Sequence, residues 1–127
     1  GGDYMNTDQD TLILTDVKNF LGYAHDDDSF NNDILIVTNL TLSTLNQLGV
    51  GTELNVTEYT YWSEFIPTDV PKDVISLPMI KAYASIKCKI LFDPPAPSTL
   101  NIMDKEATNL ESRLQCGWDT YSRKEIV

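Results

Sequence analysis

The sequence predicts an all-α fold: four helices, with a long loop or short hairpin between the second and third, and extended N- and C-terminal tails. Three observations carry this. Apolar residues recur at helical spacing along three long segments, glycine or proline stands at the segment ends, and strand-like alternation is confined to residues 52–65. The 127 residues make one domain, divided into an arm over 1–14, a helical domain over 15–115 and a tail over 116–127. By size scaling, about two-thirds of the unfolded chain's surface is buried on folding, enough for a core without staples. Hydrophobic residues at 42% and charged residues at 22% are globular values. The longest apolar runs, such as 34–37, fall far short of a bilayer span.

The arm opens on Gly1, Gly2 and Asp3 without helical period, and Leu12 to Leu14 anchor its end. Thr15 is the expected N-cap of a first helix near 16–21, with Asp16 at the positive end of its dipole and Val17, Phe20 and Leu21 on its apolar face. Gly22 stops it. Asp26, Asp27, Asp28 and Ser29 lead into a second helix near 30–48. Its stripe is Ile34, Val37, Thr41, Leu45 and Leu48, widened by Leu40 and Leu42 and closed by Gly49 and Gly51.

In 52–65, Leu54, Val56, Tyr59 and Tyr61 alternate among polar residues, and Pro67 and Pro71 punctuate the return to helix. The third helix, near 76–92, has Pro78 in its first turn and two apolar stripes. One is Leu77, Ile80, Ala84, Cys88 and Leu91; the other is Met79, Tyr83, Ile86 and Ile90. A helix apolar on two sides is central to its fold. Lys81, Ser85 and Lys89 share its remaining face, with Lys87 to one side. Asp93, Pro94 and Pro95 break it, because proline excludes the α conformation from the residue before it and supplies no N–H. Asp93 is expected to accept backbone hydrogen bonds at this structural corner, which Pro97 stiffens. Ser98 is the expected cap of a fourth helix near 99–115, with Leu100, Met103, Ala107, Leu110 and Leu114 on its inner face and Gly117 at its end.

The net charge of −10 is unevenly placed: residues 1–64 hold eleven acids against Lys18 alone, and residues 65–127 hold eight acids and eight bases. Clustered Lys and Arg, the footprint of nucleic-acid binding, are missing. No catalytic, cofactor or metal constellation emerges. With Asp27 at position 1 of a calcium loop, Asn32 takes the place of the required glycine and Thr38 that of the bidentate glutamate. His25 is the one histidine, so a multi-histidine metal site is impossible, and no nucleophile motif surrounds it. No glycine-rich phosphate loop is present. Cys88 and Cys116, 28 positions apart, read as reduced thiols. Asn39 and Asn55 begin glycosylation-type triplets that read as chance matches without a secretory signal. The aromatic and apolar residues outside the helical stripes, Tyr59, Tyr61, Trp62, Phe65, Trp118, Tyr121, Ile126 and Val127, are the expected interface anchors.

An ordered set of short motifs resembles the phage head-to-tail connector, or adaptor, family. It comprises Phe20-Leu21-Gly22, Asp26-Asp27-Asp28, Leu45-Asn46-Gln47-Leu48-Gly49, Ile80-Lys81-Ala82-Tyr83, Leu91-Phe92-Asp93-Pro94-Pro95 and Leu110-Glu111-Ser112-Arg113-Leu114. The resemblance covers roughly residues 10–115, leaving 52–74 and the tail after Gln115 unmatched. It implies a non-enzymatic virion protein, made in the host cytoplasm and placed in the virion neck. Members form a ring, usually of twelve copies, between the portal and a head-closure or stopper protein, and the genome passes through the lumen without specific binding. A competing expectation is a free helical regulatory module that binds a protein partner in a groove. A small hydrolase built on His25 is a third.

Overall fold

The computed structural model describes residues 10–66 and 77–126, with side chains through Asp119. Five helices follow in order: α1 (Ile13–Leu21), α2 (Asn31–Gln47), the single-turn α3 (Trp62–Phe65), α4 (Leu77–Phe92) and α5 (Pro97–Ile126). The all-α expectation holds, and α4 is central as its two stripes require, packing against α1, α2 and α5 while α1 also packs on α2. The expected turns at Pro67 and Pro71 lie outside the described residues.

α1 begins three residues ahead of its expected start. Backbone pairing launches it: Ile13 N–H donates to Thr60 O at 3.0 Å and Trp62 N–H donates to Thr11 O at 3.2 Å. Leu12 therefore occupies the N-cap and Thr15 lies inside the helix. α1 stops at Gly22 as expected. α2 ends in a Schellman turn in which Gly49, at φ 91°, donates to Asn46 O while Val50 N–H reaches back to Leu45 O. Val50 and Leu45 are both fully buried, supplying the apolar contact that accompanies this turn.

No hairpin forms in 52–61. Instead the Asn39 side chain treats Val56 as a strand neighbour would, accepting from Val56 N–H at 2.7 Å and donating to Val56 O at 3.1 Å. Thr57 and Thr60 close a turn on themselves, with Thr57 N–H bonded to Thr60 Oγ1 at 2.8 Å. The chain then enters α3. Its first turn is capped from afar by Asp10, which accepts from Ser63 N–H at 3.0 Å and Ser63 Oγ at 2.6 Å.

The core combines Ile13, Val17, Ile34, Leu45, Val50, Trp62, Phe65, Ile80, Tyr83 and Leu114. Three stripe residues depart from expectation: Phe20 is 51%, Leu40 56% and Leu91 48% exposed. Leu91 shares the face of Ile80, Ala84 and Cys88 but lies in the last turn of α4, where that face meets solvent. At the far end of α4, Tyr23, Phe30 and Phe92 form an aromatic triad with ring centroids 5.5–6.0 Å apart. The triad ties the 22–30 connection to the corner after Phe92.

α5 starts at Pro97, which suits the first helical position, and Leu100 N–H donates to Ala96 O at 2.8 Å. Ser98 is therefore within the helix rather than its cap. The helix does not end at Gly117 but runs on to Ile126, so the expected extended tail is helical. Among the described residues, Gly117 is not one of the positive-φ glycines. A glycine inside a helix costs only about 1 kcal/mol, which its neighbours offset.

Candidate functional site

The charged side chains that looked like candidate chemistry are occupied in holding the chain together. Lys18 is 2% exposed, and its ammonium donates to His25 O at 3.1 Å and lies 3.7 Å from Asp28. Asp27 accepts from Ser29 N–H at 3.1 Å, and Asp28 accepts from the Asn31 side chain at 3.1 Å. The hydrogen bonds from Ser29 hold the Asp27 carboxyl below its ordinary range. The acidic run is thus a loop-and-cap device. His25 is exposed, and among the described residues no group of three or more His, Cys, Asp and Glu side chains converges as a metal site would require.

A polar cluster joins α1, α3 and α4. Asp16 accepts from Trp62 Nε1 at 2.8 Å and from Thr11 Oγ1, and Lys81 Nζ lies 3.2 Å from the same carboxylate and 5.9 Å from the Trp62 ring centroid. Cys88 is fully buried, with the Thr38 and Thr41 hydroxyls 3.6 and 3.7 Å from its sulfur, and burial pushes its thiol up, away from the reactive thiolate. Between α4 and α5, the Tyr83 hydroxyl donates to Glu111 at 2.6 Å. Burial, reinforced by this carboxylate, raises the Tyr83 phenol far above its ordinary value.

The expected interface anchors separate into three groups. Tyr59 at 76% and Tyr61 at 43% are exposed on the loop before α3. Trp62 and Phe65 are each 1% exposed and belong to the chain's own core, which corrects their expected surface role. They close the 52–66 loop over α2: Thr52 N–H donates to Phe65 O at 3.0 Å, and the Phe65 ring lies so close over Gly51 that a Cβ there would meet it at 2.5 Å. Trp118 packs partly buried against the core. Tyr121 and Ile126 lie on the last turns of α5, but their side chains, like Val127, fall outside the described residues. At the corner, Asp93 accepts from the Lys89 ammonium at 2.7 Å rather than from backbone donors, while Pro94 and Pro95 carry the chain into α5.

Among the described residues, two uncovered apolar surfaces bear on the site. One is an open groove of about 510 Å³ between α1 and α4, lined by Asp16, Phe20, Pro78, Lys81, Ala82, Ser85 and Ile86. The other is the outer side of α2, where Ile36 is 60% and Leu40 56% exposed. Sequence periodicity missed the second, because Ile36 and Leu40 sit in a helix whose inner face uses Thr38 and Thr41. Their hydroxyls bond Ile34 O and Val37 O one turn back, so threonine is buried and leucine is left outside. No helix among the described residues is long and apolar enough to cross a membrane.

No curated protein and no solved structure gives a significant match to this sequence. The phage connector protein family, in contrast, matches residues 13–120, spanning every described helix from the start of α1 to the last turns of α5. The chain belongs to the phage connector protein family.

Proposed function

We propose that the chain is a structural component of the phage neck, forming a ring of about twelve copies that joins the portal to the head-closure side and lets the genome pass through its lumen. The observation that carries this reading is the family match over 13–120. Two further features support it. α4 adds Pro78, Ala82 and Ile86 to an uncovered groove beside Lys81 and Ser85, and an uncovered apolar strip of that kind suits contact with a partner. The buried Cys88, the occupied carboxylates and the solvent-facing His25 are suited to scaffolding rather than turnover.

In this reading Tyr59, Tyr61 and the end of α5 with Trp118, Tyr121, Ile126 and Val127 make contacts between subunits or with the portal and the tail-side neighbour. Co-expression with the portal protein of the same phage, followed by electron microscopy of the purified particles, tests it. The expected image is a ring beneath the portal with the 57–61 loop and the end of α5 in contact with neighbours. A chain that neither binds the portal nor forms a ring overturns the reading, and a ring with both segments free in solvent overturns these contact assignments.

A further inference from the structure

The two uncovered surfaces lie on opposite sides of the subunit. α2 packs against both α1 and α4 and so covers one side of the seam between them. The groove lined by Phe20, Pro78, Ala82 and Ile86 opens on the other side of that seam. Ile36 and Leu40 stand on α2 opposite its buried face of Ile34, Thr38, Thr41 and Leu45, and so point away from the groove.

Their spacings are complementary. On α2, Asp33, Ile36 and Leu40 share one face in steps of three and four residues; on α4, read backwards, Lys89, Ile86 and Ala82 follow the same steps. Antiparallel packing of the two faces therefore sets Asp33 against Lys89, Ile36 against Ile86, and Leu40 against Ala82 and Phe20. Asp33 is exposed at the start of α2, and among the described residues Lys89 is engaged by Asp93 in an exposed pair four residues away, which contributes little to stability and is readily exchanged.

We propose that the α1/α4 groove of one copy receives the outer face of α2 from a second copy, in this antiparallel register. The proposal rests on the ring reading above and names the surfaces that build the ring. The two surfaces differ, so their contact is head-to-tail: each copy offers a groove on one side and a ridge on the other, and only closure satisfies all of them. Charge favours the same pairing along the α4 wall, where Lys89 stands ready for Asp33, while Asp16 on the α1 wall is already paired with Lys81.

Cysteine cross-linking and charge exchange, both on the chain co-expressed with the portal, test this. In a Cys116→Ser background, Ile36→Cys together with Ile86→Cys should give a ladder of disulfide-linked multimers on oxidation, and either substitution alone should not. Asp33→Lys and Lys89→Glu should each lower the yield of rings several-fold, and their combination should restore it. All four positions are exposed or half-exposed, so folding of each variant is verified by its circular dichroism melt. If wild-type rings form but the cysteine pair gives no linked multimers, or the combined charge reversal assembles no better than the single ones, the register is wrong while the ring reading stands. If the wild-type chain forms no ring with the portal, both fall.

Discussion

Asn39 shows how much a single side chain decides in this chain. Its amide spans both backbone groups of Val56 and also donates to Leu35 O at 2.9 Å, so it fixes an irregular loop to α2 without any strand. Val56 is 3% exposed and has no water to replace these bonds. Asn39→Ala should therefore cost about 1–3 kcal/mol, the penalty of leaving buried backbone groups unpaired, measured as a lowered midpoint in urea. Burial rather than hydrophobic type decides the core positions on α4. Ile80 is fully buried, and Ile80→Ala should destabilise by about 2–5 kcal/mol. Leu91 is 48% exposed, so Leu91→Ala should shift the melting temperature little. Equal losses in the two variants would contradict this placement. Neither outcome was legible in the sequence, where Ile80 and Leu91 occupy equivalent places in one stripe and Asn39 is one polar residue among many.

At the scale of elements, α4 and α5 are held together through apolar contacts and the hydrogen bond from Tyr83 to Glu111, and burial of the Tyr83 phenol, reinforced by this bond, makes their packing sensitive to alkali. The folded state holds the Tyr83 phenol above its ordinary value of 10.0, so its contribution is fully present below that pH. As pH rises past 10 the unfolded chain gains a phenolate that the fold resists, and stability falls. Tyr83→Phe should lose some stability at neutral pH but show a shallower decline above pH 10 in thermal melts. The corner between the two helices works through the backbone. Pro94 and Pro95 restrict a chain that Phe92 already anchors against Tyr23 and Phe30. Replacing both prolines with alanine should cost about 0.4–1 kcal/mol for each, mainly by enlarging the unfolded ensemble, and should impair assembly by loosening α5. Unchanged assembly would leave the corner without that role. The sequence made these helices legible because apolar periodicity and Gly or Pro punctuation agree at Gly22, Gly49 and Pro94. It misjudged the start of α1, which depends on pairing with residues almost fifty positions away, and the end of α5, where a glycine signal was outweighed by its neighbours. α3 was illegible for a similar reason: besides the local bond from Tyr61 N–H to Glu64, its first turn is held by Asp10, more than fifty positions away.

At the scale of the whole molecule, the family was readable from an ordered set of degenerate motifs, whereas the surfaces proposed to carry its assembly were not. Exposure of Ile36 and burial of Trp62 depend on which face the tertiary fold covers. The same dependence bears on how the proposed ring treats DNA. The chain has few cations and the fold already spends most of those near α4: Lys81 lies 3.2 Å from Asp16, Lys89 lies 2.7 Å from Asp93, and Lys18 is buried beside Asp28. The excess acids of residues 1–64 have no comparable supply of partners. Repeated around the proposed ring, such charge would repel phosphates over about a Debye length, roughly 8 Å at physiological salt, so that a duplex in the lumen would slide without being held. The isolated chain and its ring with the portal should therefore fail to retain duplex DNA in a gel-shift assay at physiological salt. A mobility shift that weakens steeply with added salt and disappears when Lys81, Lys87 and Lys89 are replaced by glutamine would show that α4, not the acidic half, lines the channel. That result would also remove Lys89 from the subunit contact proposed above, because one ammonium cannot face both the lumen and the Asp33 of a neighbouring copy.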